Sequence, residues 1–401
     1  MPPQHQTKVR PQTKLLPTQS TGPGAFRDFD LQRVDSPCFV IDEVALEENL
    51  KLLKGISTAS GAKILLAVKA FSMWSLAPLV RQYLDGICAS GLWEAKLGKE
   101  RFGHNEICTY SPAYKQKDIQ EILGLSSQIV YNTPNQHNKF IHLHKNNLAS
   151  PGLRINPLHS EGQIDQYNPC CPQSRLGFPI DQITPDMLED IDGLHMHTLC
   201  EQDFPALQRT WNAVSQHLPK WGKSFKWINL GGGHLLTSPH YQRDALVGFL
   251  KDITSETGAQ IYLEPGESVA LDTGILVGEV LDVQNSSPPT AILDISATCH
   301  MPDVLEAPYR PALLNETAKG KEVRLGGPTC LTGDIIGTYT LPGIPEPGQR
   351  LAFLDQAHYT MVKTNTFNGI QLPSIAIWNS RTDKLRVVRE FGYRDFESRL
   401  S

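Results

Sequence analysis

Short apolar runs recur along the first two thirds of the chain, and each ends in a polar, charged or glycine residue. Eight stand out: AKILLAVKA (62–70), DGICAS (85–90), NEICTYSP (105–112), SQIVYN (127–132), GLRINP (152–157), GLHMHT (193–198), KWINLGGG (226–233) and AQIYLEPG (259–266). Runs of this length, rich in Ile, Val and Leu, predict buried strands. Between most of them the periodicity changes. ALEENLKLLKGI (45–56) places Leu46, Leu50 and Leu53 at i, i+4 and i+7, one face of a helix. WEAKLGKERFG (93–103) and ALVGFLKDITSET (245–257) read the same way. Eight strands alternating with helices over about 220 residues fit the size of a (β/α)8 TIM-like barrel, an α/β fold.

After about residue 275 the helical pattern nearly vanishes. GILVGEVLDVQ, TAILDIS, GDIIGTYTLP, RLAFLDQAHYT, SIAIWNS and KLRVVREF predict strands, separated by turn-rich stretches such as PGIPEPGQR. The expected organisation is a flexible N-terminal extension over 1–35, a barrel over 36–275 and a C-terminal all-β domain over 276–401. SPCFVIDE (36–43) is expected to return to the β domain.

Composition narrows the function classes. Hydrophobic residues are 40% and charged residues 20% of the 401, as in a soluble globular protein. No apolar run is long enough to span a bilayer, and the first residues have no signal-peptide core. A formal net charge of −5 gives no electrostatic reason to expect nucleic acid or an acidic membrane, and it suits a cationic substrate. The cysteines at 38, 88, 108, 170, 171, 200, 299 and 330 form no CxxC pair. This speaks against a zinc ribbon or disulfide framework and fits a reducing cytoplasm.

The ends of the predicted strands carry the chemistry: Lys69, Ser90, Arg154, His197, Gly231 to Gly233 and Glu264. In a (β/α)8 barrel these ends form the active-site face. Gly231, Gly232 and Gly233 let backbone approach an anion closely, the loops after strands seven and eight often build a phosphate site, and Gly266 could complete it. Glu264 could hold a metal, act as a base, or pair with a cationic ring nitrogen. His195 and His197 alternate on one strand, so a metal site of His195, His197 and Glu264 is a rival, as is the bland reading of two core histidines. Only the terminal residue of such a strand reaches the mouth well. The preferred reading therefore puts His197 at the site and His195 lower, as a structural residue, with no metal. The histidines at 142 and 144 are read as ordinary helix residues. An amine, a phosphate cradle and an acid for a pyridine nitrogen together are what pyridoxal phosphate requires.

Six motifs, AVKAF, GLHMHT, NLGGG, EPGES, GPTCLTGD and HYTMVKTNTFNG, occur in that order from about residue 36 to the end. On these the chain resembles the alanine-racemase-like (fold type III) barrel decarboxylases that use pyridoxal 5'-phosphate, acting on diaminopimelate, ornithine, arginine and carboxynorspermidine. SRLGF (174–178), HTLCE (197–201), TCHMPDVLE (298–306) and GPTCLTGD (327–334) are most similar to the carboxynorspermidine branch, which also handles carboxyspermidine. The resemblance implies decarboxylation of a carboxylated polyamine in polyamine biosynthesis. Lys69 would bind the cofactor covalently, His197 would stack on its ring and Glu264 would hold the ring proton. Gly231 to Gly233 and Gly266 would bind phosphate with Tyr359 assisting, and Arg154 would support the site. Cys330 would enter from the other subunit of a homodimer, near the carbon that is reprotonated.

Departures from the wider family bear on the substrate. Relatives in the ornithine and diaminopimelate branches usually have arginine after EPG, where this chain has Glu267. They usually have Gly-Ser where Leu199, Cys200 and Glu201 stand here. Leu331 follows Cys330 where close relatives carry an acid, which Asp334 could replace. The expected distal contacts are thus acidic: Glu267, Asp303, Glu306 and Asp334. Arg310 has two readings, a carboxylate clamp or an ion-pair partner of Glu306, and Arg175 could be a structural ion-pair partner. Three alternatives remain: a diaminopimelate decarboxylase, which needs more positive charge in the distal pocket; a racemase, which needs a partner tyrosine where GPTC supplies cysteine; and a cofactor carrier or polyamine sensor without turnover.

Overall fold

The computed structural model describes residues 18–146, 149–162 and 165–401. Among the described residues, seventeen strands fall into two sheets. The first is a ring of eight parallel strands: β2 (Lys63–Ala67), β3 (Gly86–Ala89), β4 (Ile107–Tyr110), β5 (Gln128–Tyr131), β6 (Ser150–Asn156), β8 (Gly193–His195), β9 (Trp227–Asn229) and β10 (Gln260–Leu263). β5 pairs with β6, Gln128 opposite Ser150, and β10 pairs with β2, Tyr262 opposite Lys63. The two-residue β7 (Phe178–Pro179) adds only to the C-terminal end of β6. Each of the eight apolar runs is one barrel strand.

The interior of the ring is filled by Leu65, Cys108, Val130, Trp227 and Tyr262. Trp227 dictates its surroundings. A Cβ on Gly193 would lie 2.0 Å from its indole and one on Gly152 2.2 Å from it, so β8 beside it and β6 beyond both pass it as glycine. The indole Nε1 donates to Ser150 Oγ at 2.9 Å, and Tyr262 donates its hydroxyl to Glu106 at 2.7 Å. Helices coat the outside. The helix α1 (Glu43–Ser60) starts where Asp42 accepts from Val44 N–H at 3.0 Å and stops at Gly61, whose φ is 77°. It buries Leu46, Leu50, Leu53 and Ile56, the stripe read from its sequence.

The second sheet holds β1 (Cys38–Asp42), β11 (Gly274–Gln284), β12 (Thr290–Leu293), β13 (Lys321–Gly326), β14 (Ile335–Leu341), β15 (Arg350–Leu354), β16 (Ser374–Asn379) and β17 (Lys384–Arg389). Its order is β14-β13-β12-β11-β1-β16-β17, with β15 on β11. β1 lies before the barrel in sequence but pairs with β11 and β16, as expected from SPCFVIDE.

Of the extension expected over 1–35, residues 1–17 lie outside the described residues, whereas the stretch from Phe26 to Val34 packs on the β domain. Phe26 and Phe29 are buried, their rings 5.3 and 4.9 Å from that of Trp378. Two aromatics three apart at a 3-10 turn (Gly24–Asp28) reach the same surface. The Pro, Gln and Thr content of the first residues hides this pair.

Candidate active site

Lys69 stands two residues beyond β2, in a turn held by the Ala70 N–H to Ala67 carbonyl bond of 3.0 Å. It is exposed and opens into a cavity of about 530 Å³ at the C-terminal ends of the barrel strands. Its Nζ lies 3.5 Å from His197 Nε2. The Nδ1 of His197 accepts from Gly232 N–H at 3.0 Å, so the neutral ring carries its proton on Nε2, toward Lys69. Burial, then Lys69 and Arg154, hold the His197 pKa well below the usual imidazole range.

Glu264 follows β10. Its Oε1 accepts from Asn229 Nδ2 at 2.7 Å and its Oε2 lies 3.2 Å from His195 Nε2. Burial works to raise this carboxyl, but His195, Asn229 and Lys69 outweigh it and bring the pKa down to about 2. Burial in turn lowers the pKa of His195, so we assign a neutral imidazole donating from Nε2 to a carboxylate. Tyr110 stacks on His195 at 5.5 Å, and the Arg154 guanidinium lies 4.5 Å from the Tyr110 ring centroid while donating to the His197 carbonyl at 3.0 Å. Arg154, Tyr110 and His195 thus form a layered support between His197 and Glu264. Among the described residues no group of three His, Cys, Asp or Glu could hold a metal ion.

The glycines are required sterically. A Cβ on Gly231 would lie 2.4 Å from the Met196 carbonyl, on Gly232 2.1 Å from that of Glu264, and on Gly233 1.9 Å from that of Leu199. Gly231 and Gly233 also have φ of 73° and 86°. Their amides divide the work. Gly231 N–H donates to Asn229 and Gly232 N–H to His197, whereas Gly233 lines the cavity. Gly266 packs against Ala70, where a Cβ would come within 2.6 Å of the alanine methyl. Tyr359, at φ 46°, donates its N–H to the Ala70 carbonyl at 2.7 Å, which brings it to the Lys69 turn.

Glu267 lines the same cavity. Burial, opposed by His358 and reinforced by Glu201, Asp355 and Asp303, raises its carboxyl to about 8. Burial would depress His358, but Asp355, 3.1 Å from its Nε2, carries it up to about 9. Both shifts favour the protonated forms: burial keeps a proton on Glu267, and Asp355 keeps one on His358. The Nδ1 of His358 is buried and has no hydrogen-bond partner among the described residues. These two states make the neighbourhood of Gly233, Gly266 and Tyr359 tolerant of an anion, despite the acid in the arginine's place.

Other expected residues lie elsewhere. Asp334 is buried, accepting from Ser296 Oγ at 2.8 Å, Thr329 Oγ1 at 2.6 Å and Thr298 N–H at 3.2 Å. These bonds tie its loop to the segment that begins at Ser296, and Asp334 does not line the cavity. Arg310 pairs with Glu316 at 3.0 Å and covers the Tyr339 ring at 4.5 Å; Glu306 pairs with Lys363 instead. Asp303 does line the cavity, bonded by Lys363 at 2.5 Å and by Tyr167 at 3.3 Å. Cys330 is exposed on the surface, its N–H donating to Asn368 at 3.0 Å. Sequence reasoning missed Asn229, whose signal was a buried amide inside an apolar run, and it placed His195 too far from the chemistry. Tyr110, Asp355 and His358 carried no signal.

Residues 38–357 match the family described as pyridoxal-dependent decarboxylase, C-terminal sheet domain. The chain is 39% identical over 382 residues to a carboxynorspermidine/carboxyspermidine decarboxylase of Campylobacter jejuni, covering 92% of this chain and 99% of the relative. It is 38% identical over 375 residues to a carboxyaminopropylagmatine decarboxylase of Synechocystis, covering 92% and 96%. Among solved structures, carboxynorspermidine decarboxylase of Campylobacter jejuni complexed with norspermidine superposes with a TM-score of 0.82 at 37% identity, covering 91% of this chain and all of that one. A diaminopimelate decarboxylase of Helicobacter pylori shares the fold, with a TM-score of 0.78 at 16% identity over 92% and 98% of the two chains. The chain belongs to the pyridoxal-dependent decarboxylases.

Proposed function

From that membership, we propose that this enzyme decarboxylates carboxynorspermidine, carboxyspermidine or both, releasing norspermidine or spermidine. One observation carries the reading: Lys69 and His197 meet in one cavity that also presents Glu201 and Asp303, and Glu264 is fixed by Asn229 and His195 at the end of the same ring of strands. The relatives named above act on carboxylated polyamines or a carboxylated aminopropylagmatine. Diaminopimelate decarboxylases stand further off, at 21% to 29% identity.

Pyridoxal 5'-phosphate, when bound, supplies an electron sink for the charge left as carbon dioxide departs. The amine of Lys69 would hold it. Glu264, fixed by Asn229 and His195, would keep a proton on the ring nitrogen. His197 stays neutral beside Lys69, so the positive charge is left to the ring. Gly233, Gly266, Tyr359 and the His358 imidazolium serve the phosphate. Arg154 fixes the His197 backbone. Cys330 is exposed and outside its own subunit's cavity, which supports its place in the site of a second copy, as proton donor in a homodimer. Eight free thiols support assignment to the cytoplasm.

The test is substrate preference. Loaded enzyme should have a higher kcat/KM for carboxynorspermidine or carboxyspermidine than for carboxyaminopropylagmatine or meso-diaminopimelate. A preference for diaminopimelate, with lysine as product, would overturn the substrate assignment and leave the cofactor chemistry intact.

A further inference from the structure

Part of the cavity wall comes from outside the barrel. Thr18 and Gln19, ahead of the 38–357 stretch that matches the family, line it. This arm is pinned. Ser20 Oγ donates to Asp272 Oδ1 at 2.6 Å, and Thr21 donates N–H and Oγ1 to Asp272 Oδ2 at 2.8 and 2.6 Å. Asp272 is itself held through its N–H by Asp355 Oδ1 at 2.7 Å. From this anchor Gln19 reaches over the mouth, and its Nε2 donates to Glu201 Oε2 at 2.7 Å. Both Asp272 and Glu201 have left-handed backbones, φ 55° and 52°, which non-glycine residues adopt only where surroundings require it.

The charges around the cavity single out Glu201. Glu161 is held by Arg209 at 2.5 and 2.6 Å. Asp303 is held by Lys363 and Asp355 by His358. Burial raises the carboxyls of both Glu267 and Glu201, with His358 opposing it. Glu201 has, among the described residues, one hydrogen-bonded side-chain partner, the neutral amide of Gln19. An amide donates a hydrogen bond but cancels no charge. An ammonium does both.

We propose that Gln19 is a specificity-determining residue: its amide occupies the position of the substrate's distal ammonium on Glu201 and is displaced when substrate binds. The inference rests on the polyamine reading of the site. Any ligand without a second basic end leaves the Gln19–Glu201 bond in place. The arm therefore sets a threshold that an ordinary amino acid does not cross.

The experiment is norspermidine binding to the cofactor-loaded full chain by calorimetry, together with KM and kcat. Gln19→Lys supplies a tethered ammonium that competes harder, and should weaken norspermidine and raise KM about threefold to tenfold, with kcat unchanged. Glu201→Gln should weaken binding by a similar factor, and in that background Gln19→Lys should have no further effect. Gln19→Ala, which removes the competitor, should tighten binding. Additive effects of Gln19→Lys and Glu201→Gln, or equal affinity in all variants, overturn the inference and leave the polyamine reading standing. A wild-type enzyme that neither binds norspermidine nor turns over a carboxylated polyamine overturns both.

Discussion

Glu264 shows how single residues make this site. Its carboxylate is fixed by Asn229 and His195, which with Lys69 outweigh burial and hold its pKa below the usual carboxyl range. Glu264→Gln removes the charge but keeps the shape, and should cut kcat by about 100-fold or more while the protein still binds cofactor. Steady-state kinetics beside a cofactor absorbance titration checks both halves. His358 makes the converse case, a cation placed where an anion must bind. His358→Asn should weaken pyridoxal 5'-phosphate by about tenfold in equilibrium titration, with little change in the far-UV spectrum. Glu267 gives a pH signature. Its native carboxyl is raised from 4.5 to about 8, so the folded state keeps a proton that the unfolded chain releases earlier. That contribution to stability is full below about pH 4.5, falls as pH rises, and is gone above about 8. In cofactor-free protein, wild type should therefore lose Tm relative to Glu267→Gln across that window; a constant difference would show that Glu267 titrates normally. At this scale the sequence was legible where a strand end offers one direction, as for Lys69, His197 and Glu264. It was not legible for Asp334, because an acid in a Gly-Pro-Thr-Cys loop reads alike whether it faces substrate or neighbouring backbone, nor for Arg310, because Glu306 and its actual partner Glu316 both stand close to it along the chain.

Elements place these residues, and their pattern was the clearest message in the chain. Every barrel strand announced itself because parallel strands buried on both faces are continuous apolar runs. The internal plug was less visible. Gly152 and Gly193 open their runs, but only the structure shows that both yield to Trp227. Gly193→Ala should cost about 1–3 kcal/mol, the usual penalty for overpacking, since its new methyl meets the indole. Chemical denaturation checks this; unchanged stability would mean the indole can move aside. The docked arm escaped notice because two phenylalanines in a Pro- and Gln-rich stretch make no periodic signal. Phe29→Ala should cost about 3–5 kcal/mol of β-domain stability, as for buried aromatic truncations generally.

On the scale of the whole molecule, the barrel contributes Lys69, His197 and Gly233 to the cavity, and the segments after it contribute Tyr359 and His358 to the same cavity and carry the loop bearing Cys330. The proposed homodimer completes the site by bringing a second copy's Cys330 to Lys69. Mixing Lys69→Ala with Cys330→Ala subunits should then restore about a quarter of wild-type activity, the statistical yield of one intact site in half of the dimers. No recovery after confirmed subunit exchange would place both residues in one chain's site. The central claim is that Lys69 and Glu264 together serve loss of a carboxylate from a polyamine. It is tested most directly by supplying the loaded enzyme with carboxynorspermidine and counting carbon dioxide against norspermidine, with Lys69→Ala as control. Equal amounts of the two, absent in the variant, are the expected result. Binding of the substrate without release of either product, or release that survives Lys69→Ala, would contradict the account.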